Sequence, residues 1–114
     1  MDDCPFCKIV AGDIPSKPVT SSERVYAFYD IAPQAPVHVL VIPKEHITSA
    51  DDVTALHEGI VDEMILVAQE AAALEGVRDS GYRLVMNVGV DGQMTVAHLH
   101  VHVLGGRRME WPPG

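Results

Sequence analysis

The stretch HLHVHVL, residues 98–104, alternates histidine with apolar residues. Successive side chains of a β-strand point to opposite faces of its sheet. The pattern therefore predicts a strand over Val96–Leu104 with His98, His100 and His102 on one face and apolar side chains on the other. Imidazole is both a nucleophile and a proton donor near neutral pH. A row of three imidazoles is costly to place in a core, so this face is the first candidate for a reactive site.

Other stretches predict three more strands and a short helix. Aromatic and β-branched residues predict a strand over Val25–Tyr29, and a nearly continuous apolar run predicts a central strand over Val37–Ile42. Tyr82–Val88 is predicted to form another strand. Residues Pro5–Val10 are predicted to form a short helix, with proline in its first turn.

One long helix is predicted between these strands. Apolar residues recur at spacings of three and four from Val53 to Leu74, as on the buried face of an amphipathic helix. Asp51 or Asp52 is expected to cap its start and Gly76 to end it, which leaves Gly59 in the helix interior. Together, these elements predict an α+β domain in which a mostly antiparallel sheet carries one long helix.

Composition limits the classes of function. The chain is 47% hydrophobic and 21% charged, which suits one globular domain over residues 1–114. Its formal net charge of −8 argues against partners such as nucleic acids and anionic membranes. The start MDDC lacks the basic residues of a secretory signal, and no apolar run approaches the roughly 20 residues that cross a bilayer. We expect a cytoplasmic protein.

The only two cysteines, Cys4 and Cys7, are separated by two residues. This spacing occurs in redox pairs and in halves of zinc sites, and two ordinary free thiols are a third interpretation. A thioredoxin-like pair would need a strand–helix–strand context, which is missing here. A zinc site would need two more ligands. The histidine row raises a separate alternative, a metal held by three histidines.

The chain resembles the histidine triad (HIT) family, whose signature is the alternation seen in residues 98–104. The similarity extends through FYDI (28–31), PQAP (33–36), His38, VIPK (41–44) and Asn87. The endings LGGR (104–107) and WPPG (111–114) resemble the histidine triad nucleotide-binding (Hint) branch. The resemblance implies a five-stranded sheet and a homodimer. It also implies hydrolysis of purine nucleoside 5′-phosphoramidates, of the AMP–amine type, through a nucleotidyl-histidine intermediate.

The catalytic roles of the family fall on four residues here. His100, the middle histidine, matches the nucleophile that attacks the α-phosphorus. His102 matches the residue that donates to the phosphate. His38 matches a supporting histidine, although a hydrogen-bonded core histidine is its other interpretation. Thr95 stands where the family has Ser or Thr, and its hydroxyl would bond the leaving group or a phosphate oxygen.

The resemblance also implies a nucleoside-binding surface. Asp30 matches the acid that holds the ribose hydroxyls, since one carboxylate accepts two such bonds; its other interpretation is a turn residue. Asn87 matches an amide on the sugar–phosphate side. Trp111 matches a tail aromatic that reaches toward the partner's active site in the family's homodimer. The apolar positions that match the walls of the base pocket are Phe6, Ile9, Phe28 and Ile31.

One position departs from the family pattern. The family usually has glutamine directly before the Ser or Thr, whereas here Met94 precedes Thr95 and Gln93 lies one residue earlier. Methionine cannot donate a strong hydrogen bond. We therefore expect the backbone amides of residues 93–95 to take over this contact, with Gln93 among the substrate-binding residues.

The resemblance assigns a zinc site as well. In bacterial relatives with an N-terminal Cys-x-x-Cys pair, the site is completed by the histidine after Pro-Lys and by the first triad histidine. These ligands correspond to Cys4, Cys7, His46 and His98. The zinc would be structural, tying the N-terminal segment to the sheet, and the chemistry would not require it.

The sequence leaves three other functions open. The first is another nucleotidyl hydrolase of the same family, acting on dinucleoside polyphosphates or acyl nucleotides; the Hint-like tail disfavours it. The second is a nucleotide-binding interaction protein whose hydrolysis is incidental. The third is a metalloenzyme that uses the three histidines as ligands, whose activity a chelator would abolish.

Overall fold

Five strands form one antiparallel sheet in the computed structural model, which describes residues 3–114. Its spatial order is β1-β2-β3-β5-β4. The strands are β1 Pro18–Ser21, β2 Val25–Tyr29, β3 Val37–Pro43, β4 Tyr82–Val85 and β5 Val101–Gly105. Together with two α-helices, α1 Pro5–Ala11 and α2 Ile60–Leu74, they confirm the predicted α+β fold.

The central position of strand β3 in the sheet accounts for its apolar sequence. It lies between β2 and β5, and every residue from His38 to Pro43 is buried. Val39 and Val41 belong to the larger core cluster, which includes the buried residues of α2. Leu40 and Ile42 belong to the smaller cluster with Phe6 of α1. The sheet is therefore covered on both faces, as a continuous apolar strand requires.

The strand that carries the histidines is shorter than predicted. It begins at Val101 instead of Val96, and residues 96–100 have an irregular backbone. The predicted alternation nevertheless holds at the apolar positions, because Leu99, Val101 and Val103 are all buried in the larger core. The histidines between them face the layer that contains α1, where Phe6 contacts the ring of His100.

The long helix starts later than its apolar spacing predicts. Two short 3-10 turns, Ala50–Asp52 and Ala55–His57, precede α2. The predicted start at Val53 is therefore wrong, and Gly59 is the N-cap of the helix, not an interior residue. Its φ of 82° is left-handed, a conformation that only glycine adopts without strain. Leu56, which continues the apolar spacing, is 93% exposed.

Because Gly59 is the N-cap, replacing it is expected to destabilise the protein, whereas replacing a glycine inside the helix would stabilise it. Alanine inside a helix would stabilise the protein by about 0.5–1 kcal/mol. At the left-handed N-cap, we expect Gly59→Ala to lower the free energy of unfolding by about 1 kcal/mol, measured by urea titration. The added Cβ would lie 3.5 Å from the Arg24 guanidinium, so strain is the dominant effect. Gly114→Ala, which meets nothing within 4 Å, is the control; a more stable Gly59→Ala variant would contradict the expectation.

Within the part of the chain that the structure describes, no helix is long and apolar enough to cross a membrane.

Candidate active site

A cavity of about 460 Å³ opens between α1, the end of β2 and the triad segment. Its lining combines three catalytic candidates with apolar walls. Eight residues singled out in the sequence line it: Phe6, Ile9, Phe28, Asp30, Ile31, Thr95, His100 and His102. The structure thus brings together side chains from three separate parts of the chain. A nucleoside-sized ligand with an apolar and a polar end suits such a cavity.

The backbone fixes the tautomer of His100. Its Nδ1 lies 2.6 Å from the carbonyl oxygen of His98, and a carbonyl can only accept, so Nδ1 carries the proton and donates. In the neutral ring, Nε2 then holds the free lone pair. His100 is buried, and the edge of the Phe6 ring packs against it at a centroid distance of 5.2 Å. The ring is therefore held in place, and in its neutral form the Nε2 lone pair could act as a nucleophile.

His38 and His102 form a directional hydrogen-bonded chain. The backbone N–H of Gln34 donates to His38 Nδ1 at 3.0 Å, so the proton of the neutral His38 ring is on Nε2. That atom lies 2.8 Å from His102 Nδ1 and donates to it. The neutral His102 ring consequently carries its proton on Nε2. The strand register explains the contact, because His102 pairs with Leu40, two residues from His38.

Asp30 closes this network at the cavity. Its Oδ2 lies 3.4 Å from His38 Nε2, and its Oδ1 accepts the backbone N–H of Ala32 at 2.8 Å. The carboxylate therefore both ends β2 as a turn residue and lines the cavity. The turn interpretation of Asp30 is confirmed by this bond to Ala32, while its binding of ribose hydroxyls stays a prediction.

Burial keeps this pair of rings neutral. Burial and the neighbouring His100 and His38 lower the pKa of His102 to about 4, against a smaller opposing effect of Asp30. Burial likewise lowers the pKa of His38, again opposed by Asp30. Neutral rings agree with the tautomers assigned from the hydrogen bonds, since each ring needs one accepting nitrogen.

The lowered pKa of His102 predicts acid sensitivity of folding. An unfolded histidine has a pKa of about 6.5, so between about pH 4 and 6.5 the unfolded chain binds more protons than the folded one. The stability contributed by the neutral ring is complete above that window and is lost as the pH falls through it. We expect the urea midpoint to decline from pH 7 to pH 4.5, and to decline less steeply in His102→Gln. Parallel declines in both proteins would contradict this assignment.

A second cluster lies beside the cavity and contains the four predicted zinc ligands. One donor atom from each of Cys4, Cys7, His46 and His98 lies within 4.8 Å of all the others. His98 Nε2–H donates to the Pro43 carbonyl at 2.9 Å, which leaves the lone pair of its Nδ1 facing the two sulfurs at 3.3 and 3.5 Å. His46 Nδ1 lies 3.3 Å from the sulfur of Cys7. Two thiols and two imidazoles are a donor set that zinc prefers.

The three triad histidines do not share a metal-binding geometry. Among residues 3–114, one donor cluster contains His98 with the cysteines and the other contains His102 with Asp30 and His38; neither includes His100. The His38–His102 contact of 2.8 Å is a hydrogen bond. This arrangement favours separate roles for the histidines over a common metal.

The loop before the triad offers fewer donors than the sequence suggests. Of the three amides expected to contact phosphate, Gln93 N–H donates to Val90 and Met94 N–H donates to Gly89. They are therefore engaged within the loop, and Gln93 is exposed with a left-handed φ of 62°. The remaining candidates on this side are the amide and the hydroxyl of Thr95, which lines the cavity.

Asn87 and Trp111 also lie outside this cavity in the single chain, as do His38 and Gln93 among the predicted catalytic and substrate-binding residues. The amide nitrogen of Asn87 donates to the Gly92 carbonyl at 2.6 Å, which shapes the same loop. Trp111 is 82% exposed in the tail that follows β5. Arg83 of β4 holds this tail through a bond to the carbonyl of Glu110 at 2.9 Å.

Several lining residues carried no signal in the sequence. Ser16 is one polar example, and its hydroxyl lies 2.7 Å from that of Tyr26. Apolar examples are Ile14, Leu40 and Val96. The sequence could have predicted Leu40 as a lining residue, because it lies two positions after His38 and residues two apart in a strand share a face. Ser16 lies in a turn region, where the sequence sets no periodicity.

Comparison with known proteins gives consistent matches. The model of the HIT domain family matches residues 11–109. A purine nucleoside phosphoramidase of Escherichia coli (strain K12) is 47% identical over 102 residues, covering 90% of this chain and 86% of that protein. A 14 kDa zinc-binding protein of Zea mays is 47% identical over 118 residues, covering 100% of this chain and 91% of that protein. The crystal structure of a HIT family hydrolase from Legionella pneumophila Philadelphia 1 has a TM-score of 0.94 and 46% identity, covering 98% of this chain and 100% of that one.

Proposed function

The chain belongs to the histidine triad (HIT) family and is a hydrolase, and from this premise we propose that it cleaves the P–N bond of purine nucleoside 5′-phosphoramidates. The observation that carries the proposal is the tautomer of His100. Its Nδ1–H is held by the His98 carbonyl, so in the neutral ring the lone pair that can attack phosphorus is on Nε2. The E. coli relative bears the name of this activity.

The reaction has two steps. In the first, the Nε2 lone pair of His100 attacks the α-phosphorus, the P–N bond breaks, and the nucleotide is joined to the ring. The departing amine takes a proton from solvent, while the Nε2–H of the neutral His102 ring donates a hydrogen bond to a phosphate oxygen and keeps its proton. In the second, water attacks the phosphorus, the bond from phosphorus to His100 Nε2 breaks, one proton returns to solvent, and the nucleoside monophosphate is released from the neutral ring. His38 is a positioning residue, because its bond to His102 Nδ1 fixes the proton of His102 on the opposite nitrogen.

The rest of the cavity suits the nucleoside. Asp30 accepts hydrogen bonds from the ribose hydroxyls, and Phe6, Ile9, Phe28 and Ile31 surround the base. Thr95 donates to a non-bridging oxygen or to the leaving group, where negative charge must be stabilised. In a homodimer, Trp111 of each chain extends toward its partner's cavity, and Asn87 with Gln93 shapes the phosphate side.

Zinc is the proposed structural cofactor. The residues that would hold it are Cys4, Cys7, His46 and His98, and their donor atoms already converge. Bound zinc would link α1 to the sheet and supply no step of the reaction. The maize relative is named a zinc-binding protein. Free thiols that serve as ligands need a reducing compartment, in keeping with a cytoplasmic protein.

Steady-state hydrolysis of a substrate panel tests the function. We expect adenosine 5′-phosphoramidate to be cleaved with a kcat/KM at least tenfold above that of diadenosine tetraphosphate, with turnover unaffected by a chelator during the assay. The reverse preference would favour a dinucleoside polyphosphate hydrolase. AMP binding without turnover would favour an interaction protein. Immediate loss of activity with chelator would favour metal-dependent chemistry.

A further inference from the structure

A hydrogen-bonded pair of hydroxyls, from Ser16 and Tyr26, lies at the cavity, and Ser16 is the member that lines it. Ser16 lines the cavity among apolar residues, and its Oγ lies 2.7 Å from the hydroxyl of Tyr26. Two other lining residues carry hydroxyls, Tyr29 and Thr95. The Tyr29 hydroxyl donates to Glu75 at 2.7 Å, and Thr95 belongs to the loop before the triad. Ser16 is thus the hydroxyl available to the base.

A chain of ring contacts connects this pair to the nucleophile. Phe6 contacts His100 at a centroid distance of 5.2 Å and Phe28 at 5.6 Å. Phe28 stacks on Tyr26 at 5.4 Å with an interplanar angle of 20°. The Ser16–Tyr26 pair therefore lies at the other end of the aromatic wall from His100. A nucleotide whose phosphorus is at His100 extends its base along this wall.

The pair has a defined hydrogen-bonding capacity. Either hydroxyl can donate in this contact, and the greater donor strength of a phenol favours the direction in which Tyr26 donates to Ser16 Oγ. The Ser16 proton is then free to donate, and its oxygen retains one accepting lone pair. Apolar walls stack equally on any flat bicyclic base, whereas a donor with an accepting lone pair distinguishes ring and exocyclic heteroatoms from carbon.

We infer that Ser16, oriented by Tyr26, hydrogen-bonds the heteroatoms on the six-membered ring of a purine base and is a specificity-determining residue of the cavity. The inference rests on the proposed nucleotide-binding role of the cavity, and it is independent of whether a P–N bond is cleaved. Ser16 selects purines by chemistry, and the aromatic wall selects them by shape.

Equilibrium binding provides the test. The ligands are AMP, GMP and benzimidazole riboside 5′-monophosphate, which keeps the bicyclic shape but has only carbon in its six-membered ring. We expect Ser16→Ala to weaken AMP or GMP by about threefold to tenfold, the loss of one neutral hydrogen bond, and to change the benzimidazole nucleotide by less than twofold. Tyr26→Phe keeps the stacked ring and is expected to give a smaller loss in the same direction.

Control variants separate this effect from a change in cavity shape. Ser16→Thr keeps the hydroxyl and should keep the preference for purines. Ser80→Ala makes the same chemical change where the hydroxyl bonds only the Val77 carbonyl, at 3.4 Å, and should change none of the affinities. The inference is overturned if Ser16→Ala weakens all three nucleotides by one common factor or weakens none of them.

The readout also separates this inference from the proposed function. If the wild type binds nucleotides with the expected Ser16 dependence but cleaves no phosphoramidate, the base contact stands and the hydrolysis proposal fails. If it cleaves phosphoramidates with no Ser16-dependent preference, the base contact fails alone. If no nucleotide binds, both are overturned.

Discussion

Replacing His100 by alanine is expected to lower kcat/KM for adenosine 5′-phosphoramidate by at least a thousandfold. The side chain supplies the attacking lone pair in the proposed reaction. Removing a nucleophile lowers kcat/KM far more than removing a binding contact does. Ground-state affinity for AMP should fall much less, since the cavity walls and Asp30 remain. The predicted signature is therefore a large loss in kcat with a small change in Kd.

Intact-mass analysis after a rapid, acid-free quench makes this prediction specific. Wild-type protein should carry one added nucleotidyl mass during turnover, and His100→Ala should carry none. His57→Gln is the matched control, because His57 caps a 3-10 turn through its contact with the Thr54 amide at 2.9 Å, outside the cavity. Full turnover by His100→Ala would eliminate covalent catalysis at this residue.

Loss of zinc is expected to lower the melting temperature by about 10 °C or more. Structural zinc contributes about 10–16 kcal/mol of apparent binding energy in small finger peptides, whereas a domain's whole stability is about 5–15 kcal/mol. Even a partial loss of this binding energy would therefore lower the Tm by several degrees or more. Metal analysis of protein purified without added zinc should find about one ion per chain, and prolonged chelation should remove it together with the stability.

Cys4→Ser is the most informative variant for testing the structural role of zinc. The Cys4 sulfur also caps α1 by accepting the Cys7 N–H at 3.3 Å. Serine is a preferred N-cap, so this variant removes a zinc ligand while retaining a cap. We expect it to bind no zinc and to melt like the chelated wild type. A metal-free wild type that melts at the same temperature as the untreated protein would contradict a structural role.

The fold could be predicted wherever periodicity was strong. Strand β2 has the predicted limits, and β3 extends the prediction by one residue. Strand β1 could not be located, because its four residues include a proline and are at most half-buried at the edge of the sheet. The start of α2 was misplaced because Val53 and Leu56 continue its apolar spacing through two 3-10 turns. Spacing alone does not show the left-handed backbone of Gly59.

The candidate site, like the fold, could be predicted only in part. The resemblance named residues that line the cavity, such as Asp30 and His100, and also residues that lie outside it, such as Trp111. The bond between His38 and His102 joins residues 64 positions apart and depends on strand register. The partner of Ser16 depends on side-chain packing across ten positions. Contacts of this kind have no local pattern, so only coordinates reveal them.

His98 contributes to both the cysteine cluster and His100, and it does so through two different chemical groups. Its ring nitrogen faces the thiols, while its carbonyl oxygen orients the imidazole of His100, the proposed nucleophile. Alanine scanning would delete the first contribution and leave the second in place, because every amino acid has a carbonyl. A mild kinetic defect in His98→Ala would therefore say nothing about its main-chain contribution. The main-chain contribution calls for a backbone substitution: an ester in place of the 98–99 amide weakens that oxygen as an acceptor, although it also removes the Leu99 N–H that donates to the Ile47 carbonyl at 2.6 Å.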